Sequence, residues 1–316
     1  MLELIRFPVS GVETYPLLPP LVAFVISFFT SMGGVSGAFL LLPFQMSVLG
    51  YTAPSVSGTN HVFNVVAIPS GVYRFIREGR MAWPLTWVVI AGTLPGVFTG
   101  YFIRVRYLPD TRGFKFFVGL VLLYIGGRLA FELARRKGNS KVEEKFNAHA
   151  KGVKARGKRA GLPPEARVKT LSFTLARVRY EFWGEIFSFS TPGMFLLASV
   201  VGIIGGAYGI GGGAIIAPFC VAVFHLPVYT IAGAALAGTF ITSLAGALFF
   251  SLSGFFFGDA GARPDWLLGL LFGLGGFGGI YCGARLQKFM PQKIIKLILA
   301  AVILFLSAVY IIQFFK

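Results

Sequence analysis

The chain has 316 residues, of which 55% are hydrophobic and only 13% charged, with a mean hydropathy of +0.75. A soluble domain carries about 25% charged residues and could not cover so much apolar surface, while a disordered chain has the opposite composition. The net charge of +17 is not spread over a soluble face, which argues against nucleic acid; the basic residues gather in one polar stretch and in short loops, as in a membrane protein oriented by its positive charge.

In chain order the apolar runs are Leu17–Gly50, broken by Gly33, Gly34 and Gly37, then Pro54–Ile76, Met81–Ile103 and Gly113–Leu133. A polar stretch follows to about Ser190. Apolar runs resume at Pro192–Leu226, broken by Gly205–Gly206 and Gly209–Gly213, then Pro227–Phe257, Trp266–Ala284 and Ile294–Phe315. No basic segment precedes a short apolar stretch at the start, so no cleaved signal peptide is expected. Cys220 and Cys282 lie in apolar runs and form neither a disulfide framework nor a metal-binding CxxC.

The two lists match. A shift of 175 places Gly34-Val-Ser-Gly37 on Gly209-Ile-Gly-Gly212, Pro43 on Pro218, Gly58 on Gly233 and Gly71 on Gly246. A shift of 183 then places Trp83 on Trp266, and Gly92, Gly96 and Gly100 on Gly275, Gly279 and Gly283. The chain therefore reads as a duplication: a first membrane repeat over 1–134, a connector over 135–190 and a second repeat over 191–316. Each Gly-x3-Gly-x3-Gly segment puts small residues on one helix face, where two backbones can approach closely in lipid.

Between Arg135 and Arg179 stand 14 Lys and Arg against three Glu, so the connector is expected to be cytoplasmic. Partial alternation over Val168–Ser190, with a turn at Gly184, suggests a small β-hairpin there. An odd number of crossings per half puts Arg285, Lys288 and Lys293 inside with Arg74, Arg77 and Arg80, and Asp259 and Asp265 outside. Only the Arg104–Lys115 loop then disobeys the positive-inside rule. Leu17–Gly50 as one helix would span about 50 Å against a hydrocarbon core of about 30 Å, so two short helices fit better. The expected fold is an all-α polytopic membrane protein of two inverted repeats. Each has a Gly-broken short-helix pair plus three further spans, about 10 helical membrane segments in all.

Irregular backbone at membrane depth survives only inside protein or beside a wet cavity. A helix starting at such a break aims free N–H groups at it, and two breaks meeting near the midplane would form an anion site. The candidate substrate-binding residues are Gly34, Ser36 and Gly37 of the first break, and Gly209, Gly211, Gly212 and Gly213 of the second. Asn60, His61 and Asn64 follow the first break, and Thr239 and Thr242 follow the second. Asn60 and Asn64 share a helix face. Their alternative reading is interhelical glue. His61 can donate a hydrogen bond or couple transport to protons. No metal and no organic cofactor is indicated. Gly34-Val35-Ser36-Gly37 also reads as the nucleophile motif of rhomboid-type serine proteases with His61 as base, but Ser36 falls on Gly211 in the second copy. A passive anion channel would use the same donors and stays open.

The two Gly-rich segments Gly33–Pro43 and Gly209–Pro218, the later glycine triplets and the polar connector resemble the sulfite exporter TauE/SafE family of membrane transporters, over Leu17 to Phe315. Ser36 departs from the family's glycine pattern, and the connector is longer and more basic than the family needs. The resemblance implies export of a sulfite-type or organosulfonate anion across the inner (cytoplasmic) membrane of a prokaryote, with the lipid bilayer and a small anion as partners.

Overall fold

The computed structural model describes residues 3–32, 36–77, 79–134, 167–256, 258, 260–286 and 292–316. A short hairpin, β1 (Ile5–Arg6) and β2 (Glu13–Thr14), precedes α1 (Leu18–Met32), α2 (Ala38–Ser47), α3 (Ser55–Ala67), α4 (Pro69–Arg77), α5 (Trp83–Phe102) and α6 (Thr111–Ala134). The second half begins with an antiparallel sheet, β3 (Lys169–Phe173), β4 (Arg177–Phe182) and β5 (Glu185–Ser190), in the order β3-β4-β5. It continues with α7 (Thr191–Tyr208), α8 (Gly213–Ala222), α9 (Val228–Phe256), α10 (Trp266–Leu286) and α11 (Gln292–Phe315).

Among the described residues six helices are long and apolar enough to cross a membrane: α5 with the turn that follows it, α6, α7, α9, α10 and α11. Among the described residues α1 and α2 are shorter apolar helices. At ten residues, α2 and α8 each reach about 15 Å, half a hydrocarbon core. The bounds of α2 shifted by 175 are those of α8, and α5 shifted by 183 begins at the start of α10. Trp83 and Trp266, which begin α5 and α10, are both exposed, as interfacial anchors are.

The run Pro54–Ile76, expected as one span, is divided into α3 and α4 at Ile68–Pro69. Proline has no N–H to continue the ladder and its ring crowds the preceding turn; α9 has no proline at the matching place and runs unbroken. The expected hairpin is β4–β5, turning at Trp183 and Gly184, both with positive φ. Strand β3 adds to it with a bulge between Thr170 and Ser172. Alternation is clearest on β4, where Val178, Tyr180 and Phe182 are buried. Residues 135–166 of the connector, with Lys288 and Asp259, lie outside the described residues.

The helices of the two halves pair reciprocally. The most extensive interhelix contacts are α5 with α7 and α1 with α10, which exchange under the same shifts, and α6 with α11. Glycine makes the first two approaches close. A Cβ on Gly92, Gly96 or Gly100 would run into the carbonyls of Phe195, Ser199 or Ile203 on α7. On Gly275, Gly279 or Gly283 it would meet those of Pro20, Phe24 or Phe28 on α1. Each carbonyl of the first set lies 175 residues after its counterpart in the second.

Candidate functional site

Helix α7 ends at Tyr208 because Gly209 takes φ 84° and ψ 18°, a left-handed C-cap that costs a residue with a Cβ about 1–2 kcal/mol. Gly211 and Gly212 follow at φ 66° and 80°, and Gly212 caps α8. This second break is held between α3 on one side and α9 on the other.

From α3, the side-chain amides of Asn60 and Asn64 both donate to the Gly209 carbonyl, at 3.2 and 3.3 Å. Ser57 Oγ donates to the Ala207 carbonyl at 2.8 Å, and His61 Nε2 lies 3.4 Å from the Gly206 carbonyl. From α9, Thr242 Oγ1 donates to the Gly211 carbonyl at 2.9 Å, and Thr239 Oγ1 accepts from the Gly213 N–H at 2.9 Å. Asn64 also donates to Ser243 Oγ at 3.1 Å. Thr239 is 2% exposed; Asn60, His61, Asn64, Thr242 and Ser243 are 0% exposed. Such donors and acceptors must find partners in protein, and these contacts supply most of them.

The head of α2 is tied to the second break. Asn60 Nδ2 donates to the Ala38 carbonyl at 3.0 Å while also reaching Gly209, and Tyr208 Oη donates to the Phe39 carbonyl at 2.8 Å. Gln45 Nε2 lies 3.4 Å from Asn60 Oδ1. The structure thus gathers Asn60, His61, Asn64, Gly209, Gly211, Gly213, Thr239 and Thr242 at one junction, with Gly212 in the same loop. Ser36 is buried and Gly37 caps α2, packed on α1 at Ser27; Gly34 lies outside the described residues. Among the described residues no hydrogen bond joins Ser36 to His61, whose Nδ1 is buried without a partner.

Most backbone donors of the second break are engaged internally: the N–H groups of Gly209, Ile210 and Gly211 converge on the Gly205 carbonyl at 2.8, 3.0 and 3.4 Å. Sequence reasoning passed over Gln45, Ser57 and Tyr208. Gln45 carried a legible signal, as a buried amide inside the apolar helix α2. Ser57 and Tyr208 act through partners far along the chain. Among the described residues no group of three or more His, Cys, Asp or Glu is placed to hold a metal ion.

The pattern of the sulfite exporter TauE/SafE family matches residues 20–310. The chain belongs to that family. Two curated proteins of Bacillus subtilis (strain 168) resemble this TauE/SafE protein. The probable membrane transporter protein YdhB is 34% identical over 120 residues, 37% of this chain and 43% of YdhB. The probable membrane transporter protein YunE is 21% identical over 284 residues, 88% of this chain and 90% of YunE. No solved structure matches. The TauE/SafE protein is thus a multi-pass membrane protein homologous to proteins named as transporters, and its two Gly-rich segments lie within the matched region.

Proposed function

We propose that the protein is a secondary transporter, not an enzyme, that exports a small sulfur-containing anion of the sulfite or organosulfonate type across the cytoplasmic membrane. The observation that carries this reading is the Asn60 side-chain amide, shared between the Ala38 carbonyl at the head of α2 and the Gly209 carbonyl at the end of α7. One neutral donor group ties a break in the first half to a break in the second. Residues 1–134 and 191–316 act as inverted repeats that rock about this junction, with the connector 135–190 on the cytoplasmic side. The reciprocal pairing of α5 with α7 and of α1 with α10 supports that symmetry.

In the tied state the amides and hydroxyls satisfy backbone groups. When the halves separate, the amides of Asn60 and Asn64 leave the Gly209 carbonyl of the other half and become donors for the anion's oxygens. The hydroxyls of Thr239, Thr242 and Ser36 and N–H groups of Gly34–Gly37 and Gly209–Gly213 join them as the breaks themselves open, since Gly209–Gly211, Thr239 and Thr242 are bonded within the second half in the tied state. Neutral donors suit an ion that must leave as well as enter, because a fixed cation would hold it. Full burial of Asn60, Asn64 and Thr242 favours an occluded step of alternating access over an open anion channel. His61, the titratable side chain at the junction, is the proposed proton-coupling group.

The test is counterflow in proteoliposomes with sulfite, thiosulfate, sulfonates, sulfate and carboxylates, for wild type and Asn60→Ala. Saturable exchange of sulfur oxyanions, weakened by the substitution, is the expected result. Large single-channel currents would replace the transporter by a channel, and folded protein that moves no anion would reduce the breaks to packing features.

A further inference from the structure

The loop that disobeys the positive-inside rule contains Arg104, Arg106, Arg112 and Lys115. Arg104 has an internal explanation. It is 0% exposed, donates to the Leu108 carbonyl and to the Thr52 carbonyl at 3.1 Å, and lies 3.6 Å from the Phe114 ring centroid. Arg112 and Lys115 have no such enclosure. They line a cavity of about 340 Å³ between the start of α6 and the end of α11, completed by Thr111, Tyr310, Gln313 and Phe314. Arg112 spends two of its nitrogens on the Phe314 carbonyl and keeps donors to spare. Lys115 Nζ lies 5.8 Å from the Tyr310 ring centroid. Among the described residues neither cation has a carboxylate within ion-pair range.

We propose that this cleft binds a phosphate-class oxyanion, presented by the headgroup of an anionic phospholipid. Its position suits that source. Helix α6 leads from Thr111 into the connector, so the cleft lies where two candidate spans meet water at the membrane end away from the connector, at headgroup level. Two cations with no ion-pair partner among the described residues, beside Asp110 whose carboxylate is engaged by the Gly113 N–H, are attracted there to anionic lipid. Beside them Phe116 stacks on Phe314 with ring centroids 4.3 Å apart, and Phe315 is 74% exposed, apolar surface that the lipid can also cover.

The cleft is also connected to the junction. Tyr310 forms part of its wall, and Tyr310 Oη lies 2.6 Å from Ser47 Oγ and donates to the Pro43 carbonyl at 3.2 Å. Both partners belong to α2, whose first carbonyl is held by Asn60. A bound headgroup therefore steadies α2 through Tyr310. Binding stands on the cleft alone; any effect on export rests on the transport reading above.

The test is native mass spectrometry of the full chain, released from detergent with phosphatidylglycerol or phosphatidylcholine, for wild type, Arg112→Gln/Lys115→Gln, and a control with two other cations removed, Arg177→Gln/Arg179→Gln. Wild type and control are expected to retain phosphatidylglycerol over phosphatidylcholine. The cleft variant is expected to lose about thirtyfold in phosphatidylglycerol retention, about fivefold for each cation at a lipid surface. A second arm measures protection of Lys115 from an amine-acylating reagent in phosphatidylcholine vesicles. Protection by inorganic phosphate would assign the oxyanion to solution; protection only after phosphatidylglycerol is added assigns it to lipid. A cleft variant that retains phosphatidylglycerol as wild type does, or a Lys115 protected by neither, overturns the proposal. Tyr310→Phe is expected to keep the lipid but lose the thermal stabilisation that phosphatidylglycerol gives wild type.

Discussion

The side-chain amide of Asn60 donates to the Gly209 carbonyl at 3.2 Å, across 149 residues of chain. The same nitrogen holds the Ala38 carbonyl, and Asn60 Oδ1 faces the Gln45 amide. Removing it breaks the contacts to the Ala38 carbonyl and the Gln45 amide, which water does not reach, while Gly209 keeps its Asn64 partner. Asn60→Ala is therefore expected to lower stability by about 2–4 kcal/mol, with about 1–3 kcal/mol for each buried group left unpaired and partial relaxation. Asn64→Ala leaves Gly209 with its Asn60 partner and should cost about 1 kcal/mol less. Thermal unfolding in detergent measures both. Equal losses would mean that the two amides do not differ in what they tie together.

Gly209 combines a φ of 84° with a crowded site: an added Cβ would meet Ser57 Cα at 3.0 Å and Asn60 Cβ at 3.1 Å, besides the Ser57 carbonyl. Gly209→Ala should cost about 2–5 kcal/mol, from about 1–2 for the left-handed backbone and about 1–3 for overpacking. Gly127→Ala is the control. Nothing lies within 4 Å of its added Cβ, and the change is expected not to destabilise, with a gain of up to about 1 kcal/mol from helix propensity. A Gly209→Ala protein with wild-type thermal stability would contradict this geometry.

Much of this junction was legible in the sequence. Glycines in an apolar run too long for one span marked the second break, and the i, i+4 spacing of Asn60 and Asn64 put both amides on one face. Which carbonyls they reach was not legible, because a backbone acceptor carries no side-chain signal. The hairpin β1–β2 escaped notice because two-residue strands leave no alternation to read. Arg104 read only as a topological exception, since its burial depends on Thr52 and Phe114 reaching it from other segments.

That hairpin is held by Asp265. Asp265 Oδ2 accepts from Ser10 N–H at 3.0 Å and Ser10 Oγ at 2.8 Å, while Oδ1 caps α10 at the Leu268 N–H at 3.0 Å. An asparagine keeps one acceptor oxygen and must turn an NH₂ toward donors on the other side. Asp265→Asn is expected to lower stability by about 1–3 kcal/mol and to make residues 3–15 the first site of limited proteolysis. Unchanged protection of the hairpin would show that Phe7 and Val12, both buried, hold it without the carboxylate.

A substitution at His61 tests whether transport is coupled to protons. Its ring packs against Gly246, where an added Cβ would meet Nε2 at 2.6 Å, so the substitution to compare should not be larger. In His61→Gln an amide of smaller volume replaces the ring and can still donate to the Gly206 carbonyl. If His61 carries the proton, sulfite counterflow in wild type depends on pH and the His61→Gln profile is flat at a measurable rate. The same profile in both proteins, or a flat one in wild type, would remove proton coupling through this residue while leaving the anion site untouched.

The reciprocal helix pairs permit a test of the repeat itself. Gly96 faces the Ser199 carbonyl of α7, and Gly279 faces the Phe24 carbonyl of α1. If the two contacts are copies of one interface, Gly96→Val and Gly279→Val should destabilise by similar amounts, about 1–3 kcal/mol each from overpacking. The sites lie on different helix pairs, so the double variant should approach the sum of the singles. A loss confined to one site would mean that only one interface needs the close approach. Equal losses in stability, with counterflow slowed in both singles, would tie both halves to the movement that carries the anion.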